Sequence, residues 1–173
     1  MSSETAIFAG GCFWCTQAAF VNIPGVIQTR AGYCGGKVPN PTYDEVCQGH
    51  TGHVEVLEIE YDPQQINYAA LLKIFWQSID PTDAGGQFAD RGQQYHTAIF
   101  VMNEQQKKIA EQSKQQIASQ LSLPIATQIL PAQTFYPADE FHQNYQQKYP
   151  VAYQRYYQGS GRQQKLNAIW HKK

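Results

Sequence analysis

The sequence predicts an α+β fold in which helices cover one face of a mixed, mostly antiparallel sheet. Two patterns carry that expectation: short apolar or alternating runs closed by glycine, proline or asparagine, and longer stretches whose apolar residues recur with the helical period. Residues 5–9, Thr-Ala-Ile-Phe-Ala, have the length of a buried strand and are stopped by Gly10-Gly11. Residues 12–21 then fit a helix, which puts Cys12 where a strand turns into a helix. Pro24-Gly25 marks a turn, 26–33 a second strand closed by Gly35-Gly36, and 37–52, rich in Pro, Asn, Gly and Thr, a long loop of the kind that usually carries function. Over 53–61 the residues alternate, with His53, Glu55, Leu57, Ile59 and Tyr61 on one face and Val54, Val56, Glu58 and Glu60 on the other. Asn67 caps a helix over 68–79, where Leu71, Leu72, Phe75, Trp76 and Ile79 form one stripe. A second long loop, 80–94, leads to a strand over 95–102. A polar helix capped by Asn103 follows, with Ile109, Ile117 and Leu121 facing inward, and then a strand over 125–130. The order up to Met102 is β-α-β-β-α-β, that of a ferredoxin-like split βαβ two-layer sandwich. From Pro131 onward the Tyr-rich sequence reads as an irregular C-terminal extension that wraps over the sheet.

Composition narrows the function. The chain has 173 residues and no repeat, charge block or Ser/Gly linker, so it reads as a single domain over 1–173, with 151–173 as a tail. A formal charge of −1 leaves no basic field for phosphate backbones, which argues against nucleic acid. No run approaches the ~20 apolar residues that span a bilayer, and Met-Ser-Ser-Glu-Thr is not a secretory signal, so we expect a soluble, cytoplasmic monomer. All four cysteines, Cys12, Cys15, Cys34 and Cys47, fall in the first third of a chain expected in a reducing compartment. Redox or metal chemistry then explains them better than structural disulfides.

Cys12-Phe13-Trp14-Cys15 is the sharpest local feature. A thiol at a helix start feels unpaired N–H groups that favour the thiolate, and Gly-Gly before it and two aromatics inside it favour a reactive sulfur over a small core residue. Cys15 lies one turn on, where Cβ atoms are ~5–6 Å apart. A disulfide needs ~4 Å, so closing one requires the first turn to adjust. Zinc is the weaker alternative: Cys47, His50 and His53 with Cys12 or Cys15 lack the usual paired spacing, and we assign no metal. Glu55 shares a face with Leu57 and Ile59. Alternation leaves two readings, a buried carboxyl held protonated and fit to be a general acid, or a strand-end glutamate reaching solvent. Tyr43 and Tyr95, in or beside the long loops, either donate to a substrate oxygen or simply pack.

These motifs converge. Gly11-Cys12-Phe13-Trp14, Gly32-Tyr33-Cys34-Gly35-Gly36, Asn40-Pro41-Thr42-Tyr43, Gly49-His50-Thr51-Gly52-His53-Val54-Glu55, Asp90-Arg91-Gly92-Gln93-Gln94-Tyr95 and Phe135-Tyr136-Pro137-Ala138-Asp139-Glu140 resemble the A-type peptide methionine sulfoxide reductases, in the family's order, over roughly residues 6–150. The resemblance implies that Cys12 is the nucleophile and Glu55 the acid, that Tyr43 and Tyr95 hydrogen-bond the sulfoxide oxygen, that Phe13 and Trp14 wall a pocket for the S-methyl group, and that Asp90 holds the substrate. It also implies specificity for the S epimer, free or peptide-bound, no bound cofactor, and recycling of an enzyme disulfide by thioredoxin. Relatives often carry resolving cysteines in the C-terminal tail, but this chain has none after Cys47. Spacing favours Cys15 as the resolving thiol, with Cys34, beside Gly35-Gly36, as runner-up and Cys47 expected to be structural. His50 and His53 are expected to fix loops, and Tyr145, Tyr149, Tyr153, Tyr156 and Tyr157 to pack the tail, with Tyr145 nearest the site. The competing functions are a general thiol–disulfide oxidoreductase using Cys12 and Cys15, and a non-enzymatic binder of oxidised methionine.

Overall fold

The computed structural model describes residues 2–171; Met1, Lys172 and Lys173, which the expected domain and tail include, lie outside the described residues. Along the chain run β1 (Glu4–Ala9), α1 (Phe13–Phe20), β2 (Val26–Cys34), α2 (Tyr43–Cys47), β3 (Val54–Tyr61), α3 (Tyr68–Gln77), β4 (Gly86–Gln87), β5 (Asp90–Arg91), β6 (Ala98–Val101), α4 (Glu104–Leu121), β7 (Gln128–Pro131), β8 (Tyr136–Pro137), α5 (Tyr145–Lys148), α6 (Pro150–Ser160) and α7 (Arg162–Trp170). The main sheet has the order β7-β6-β1-β3-β2-β8. All its pairs are antiparallel except β6 with β7. Its centre, β6-β1-β3-β2, is the split βαβ arrangement expected.

The alternation in β3 sorts the interior into two faces. Leu57, Ile59 and Tyr61 join Phe20 of α1, Leu71, Leu72, Phe75 and Trp76 of α3 and Ala110 of α4 in the larger core. Val54 and Val56 point the other way, into a smaller cluster with Ile7, Cys34 and Phe100. Asn67 caps α3 by accepting from the Ala70 amide at 2.8 Å, and Asn103 caps α4 through Gln106 at 2.8 Å, as those residue types favour.

Several boundaries differ from expectation, each for a local reason. Helix α1 starts at Phe13, because Cys12 is its cap residue at φ −57°, ψ 122°. The 37–52 loop holds α2, nucleated by a capping box in which Thr42 Oγ1 accepts from the Glu45 amide at 3.1 Å and Glu45 Oε1 from the Thr42 amide at 3.0 Å. Tyr95 is not in a strand. Gly92, at φ 131°, turns the chain into a 3-10 turn over Gln93–Tyr95, and β6 begins only at Ala98. The C-terminal extension is irregular only as far as Asn144; beyond it α5, α6 and α7 are helical, with Pro150 opening α6 and Gly161, at φ 72°, separating it from α7. This extension is fastened by amide side chains. Gln143 accepts from the Ala31 amide at 2.9 Å and donates to its carbonyl at 2.8 Å, pairing with β2 as a strand would, while buried Gln17 of α1 accepts from the Asn144 amide at 2.8 Å.

Candidate active site

The junction of β1 and α1 sets the site. Gly11 adopts φ +84°, and a Cβ there would lie 2.8 Å from Gln87 Cβ and 3.2 Å from Arg162 Nη2, so only glycine lets the chain enter α1 against these two side chains. Cys12 follows as the helix cap. The first free amide of α1, that of Phe13, donates to Glu55 Oε1 at 3.1 Å. A carboxyl from β3 thus satisfies a helix N-terminus that no neighbouring residue caps.

Glu55 is 1% exposed, which decides between its two readings in favour of the buried acid. Burial pushes its pKa from 4.5 up to about 8, aided by the negative charges of Asp90 and Cys15 and opposed by the Phe13 hydrogen bond. Its second oxygen, Oε2, is buried without a partner, as is the hydroxyl of Tyr33, which stands directly opposite Glu55 in the β2–β3 register. Two unpaired polar atoms side by side in a buried site mark a place for a polar ligand atom.

Aromatic rings wall this chamber. Phe13 lies 5.6 Å from Tyr33, 6.4 Å from Tyr43 and 5.4 Å from His142, centre to centre. Trp14 stacks on Tyr145 at 3.8 Å and donates its indole N–H to His142 Nδ1 at 3.2 Å. Tyr95 packs with Cys12, Cys15 and Tyr153 on the other side. Burial raises the hydroxyl pKa of Tyr43 and Tyr95, with Glu55 nearby adding to it, so both stay hydrogen-bond donors at physiological pH. Asp90, on the small β4–β5 hairpin, accepts a hydrogen bond from the Tyr156 hydroxyl.

The two thiols differ in a way the sequence did not suggest. Burial, and then Cys15, push Cys12 well above its ordinary value, so the expected helix-start thiolate is not the resting state. Cys15 is lowered to about 6 by the hydrogen bond from Cys12, against the cost of burial, with help from the Arg162 charge and the Tyr153 and Tyr156 hydroxyls. All four cysteines are free. Cys34 lies in the cluster on the opposite face of the sheet, its thiol directed to the Gln133 carbonyl at 3.6 Å, so the runner-up resolving thiol is not brought to Cys12. Cys47 is exposed at the end of α2 rather than packed as a structural residue. His53 fixes its loop, accepting from the Gly36 amide at 3.0 Å and lying 2.7 Å from the Val38 carbonyl. Among the described residues no three His, Cys, Asp or Glu side chains converge as a metal site requires, so Cys47, His50 and His53 do not assemble one.

Sequence reasoning missed Tyr33, His142 and Arg162 and assigned Tyr153 and Tyr156 to packing alone. Tyr33 was legible, since alternation along β2 places it opposite Glu55 once the strands pair. The others come from a tail whose path only packing reveals.

Two thiols and a protonated carboxyl gathered at one helix start, inside a split βαβ sandwich, define a cysteine-dependent oxidoreductase. Comparison with known proteins specifies the kind. The peptide methionine sulfoxide reductase family matches over residues 4–173, which takes in the C-terminal helices. The enzyme "Peptide methionine sulfoxide reductase MsrA" of Bacillus licheniformis is 50% identical over 98% of this chain and 95% of its own length, and that of Ligilactobacillus salivarius 51% over 98% and 99%. Among solved structures, methionine sulfoxide reductase A of Corynebacterium diphtheriae superposes with a TM-score of 0.78 at 34% identity, covering 86% of this chain and 76% of that one. Reduced Mxr1 of Saccharomyces cerevisiae gives 0.80 at 31%, covering 86% and 87%. Mxr1 has also been crystallised in complex with Trx2, and that chain shares the fold at a TM-score of 0.57 and 24% identity, covering 83% and 84%. The chain belongs to the peptide methionine sulfoxide reductase family, enzymes that reduce methionine sulfoxide, and no helix among its described residues is long and apolar enough to cross a membrane.

Proposed function

We propose that this chain reduces the S epimer of methionine sulfoxide, free and in proteins, with Cys12 as nucleophile and Glu55 as acid. The observation that carries the reading is the Glu55 carboxyl: buried, protonated up to a pH of about 8, with Oε1 occupied by the Phe13 amide and Oε2 free. A sulfoxide sulfur resists attack until its oxygen is protonated, so the acid must act on the oxygen while sulfur attacks sulfur. The free Oε2 carries that proton. Tyr43 and Tyr95 supply further donors as charge develops on oxygen, and such aid is worth roughly 10²- to 10⁴-fold for general acid catalysis alone.

The atoms balance as follows. Cys12 sulfur attacks substrate sulfur as Glu55 protonates the oxygen; the thiol proton returns to the Glu55 carboxylate; oxygen ends on Cys12 as sulfenic acid and methionine leaves, two electrons richer. Epimer choice follows if the S-methyl group must enter the Phe13–Trp14 wall while oxygen faces Glu55, since the mirror placement puts oxygen against apolar rings. Asp90 holds the substrate beside this wall. Cys15, one helical turn from Cys12 and the only other thiol packed in its cluster, then displaces hydroxide to form a disulfide. An external dithiol reduces it; thioredoxin, which the family resemblance implies, fits that need, and no bound cofactor is required. We place the reaction in the cytoplasm and assign the active form as a monomer. A general disulfide exchange enzyme is not favoured, because that chemistry gives the buried, protonated Glu55 carboxyl no role.

Coupling to thioredoxin, its reductase and NADPH tests the proposal. NADPH consumption is expected with the S epimer and not with the R epimer; folded protein with no S-dependent consumption overturns it.

A further inference from the structure

The mechanism above leaves one buried charge unused. Arg162, from α7, is 2% exposed, and the ion pairs among the described residues are Arg30–Glu58 and Arg91–Asp83, neither of which involves it. Its guanidinium donates to the Ser78 carbonyl at 2.7 Å and the Gly10 carbonyl at 3.3 Å and lies 4.5 Å above the Phe88 ring, while Nε has no partner. A guanidinium held in the interior without a carboxylate is costly unless an anion faces it. A thiol shares its surroundings. A cavity of about 280 Å³ brings together Arg162, Cys15, Ser78, Tyr153 and Tyr157. On the same side Cys15 Sγ lies 3.9 Å from the Tyr156 hydroxyl, which in turn donates to Asp90.

We propose that Arg162 is a positioning residue for the resolving step, its buried charge holding the Cys15 sulfur as the thiolate that attacks oxidised Cys12. This rests on the reading of Cys15 as the resolving thiol and deepens it. Cys15 gives its proton along the Tyr156 hydroxyl to the Asp90 carboxylate. The thiolate then attacks Cys12 sulfur; the S–S bond forms as the S–O bond of the sulfenic acid breaks, and the leaving hydroxide takes the proton from Asp90 and departs as water. Arg162 balances the negative charge wherever it resides on this path. The lowered Cys15 value, to which the Arg162 charge contributes, agrees with the arrangement. In this chain, then, the tail contributes a cation to a thiol on α1 instead of contributing a thiol of its own.

The titratable groups around Cys15 are Cys12 from the helix cap, Tyr153, Tyr156 and Tyr157 from α6 and Arg162 from α7, with Asp90 of β5 reached through the Tyr156 hydroxyl and Glu55 of β3 acting through its charge. The test therefore compares proteins that differ only at Arg162. In a Cys12→Ser background, the alkylation rate of Cys15 is followed against pH by peptide-resolved mass spectrometry. Arg162→Gln keeps donors for the two carbonyls but removes the charge, and is expected to raise the Cys15 midpoint by a unit or more; Arg162→Lys is expected to restore it to within half a unit. With Cys12 present, one round of reaction with the S-sulfoxide is quenched at about pH 5, below both midpoints, where the thiolate fraction falls tenfold per unit, and disulfide formation is expected to slow about tenfold more than methionine release in Arg162→Gln. An unchanged midpoint in folded Arg162→Gln overturns the inference and leaves Cys15 as resolving thiol standing. A Cys12 disulfide to any other cysteine in the unsubstituted protein overturns the resolving assignment, and the inference with it. Should Arg162→Gln not fold, Arg162→Lys decides: a midpoint raised by a unit or more overturns the charge role, and one near the unsubstituted value supports it.

Discussion

The Phe13 amide donates to Glu55 Oε1 at 3.1 Å, so the acid of β3 is tied to the first turn of the helix that presents Cys12. One hydrogen bond sets two things: it fixes which carboxyl oxygen is occupied, leaving Oε2 for substrate, and it holds acid and nucleophile in register across elements 42 residues apart. Since the same bond stabilises the carboxylate while burial opposes it, the value near 8 is the outcome of that competition, and burial prevails.

Methionine formation in a single turnover should therefore fall as pH rises through about 8, where Glu55 loses its proton, while resolution by Cys15 thiolate should weaken below about 6. Quenched-flow measurement of released methionine against pH checks the upper limb; a profile flat to pH 10 would assign the proton to another donor. Glu55→Gln should lower this step by roughly 10²- to 10⁴-fold and remove its dependence on pH near 8.

The same residue makes a stability prediction. Below pH 4.5 Glu55 is protonated folded or unfolded and costs nothing; above it the unfolded chain ionises first, so the folded state loses about 1.4 kcal/mol per pH unit until the folded value near 8 is passed. Glu55→Gln should thus gain on the unsubstituted protein by roughly 3–5 kcal/mol between pH 4.5 and 8, read from urea midpoints at the two pH values. A pH-independent difference would mean the carboxyl is solvated.

Cys15→Ser should release one equivalent of methionine and stop, leaving Cys12 as a sulfenic acid that dimedone traps. Cys34→Ala, on the far face of the sheet, should form the Cys12 disulfide at an unaltered rate. An intramolecular disulfide in Cys15→Ser, seen by mass spectrometry, would refute the resolving assignment.

Gly11→Ala should cost about 1–3 kcal/mol from its positive φ alone, and the contacts with Gln87 and Arg162 add to it. Thermal melts and steady-state kinetics should show lower stability together with lower activity.

Trp14→Ala should weaken substrate capture by about tenfold in kcat/KM, the scale of losing apolar contact with one methyl group. Loss confined to kcat would place Trp14 in the chemical step instead.

The elements were largely legible. Periodicity placed α3 and β3 to within a few residues because α3 lays one stripe on the larger core and the residues of β3 divide between the two faces of the sheet, and Gly10-Gly11 marked the turn before Cys12 because a backbone at φ +84° tolerates little else. Tyr95 differs from the strand expected of it because the continuous apolar run that forms the strand begins only at Ala98, and Gly92 turns the chain into a 3-10 turn before it. Cys12 was expected as a thiolate because helix-start amides act locally; the desolvation that outweighs them is imposed by Tyr153, Tyr156 and other residues far away in sequence.

By itself the sequence determined the class of fold, the Cys12–Cys15 spacing and the family, since these depend on local pattern and on motifs in order. Only the tertiary structure decided that Glu55 is buried and bonded to Phe13, that Cys34 is on the wrong face, and that Arg162 and Tyr156 return from the tail to Cys15. Charge and desolvation act across distances of a few ångströms, and which side chains come that close is settled by packing between elements, not by position along the chain.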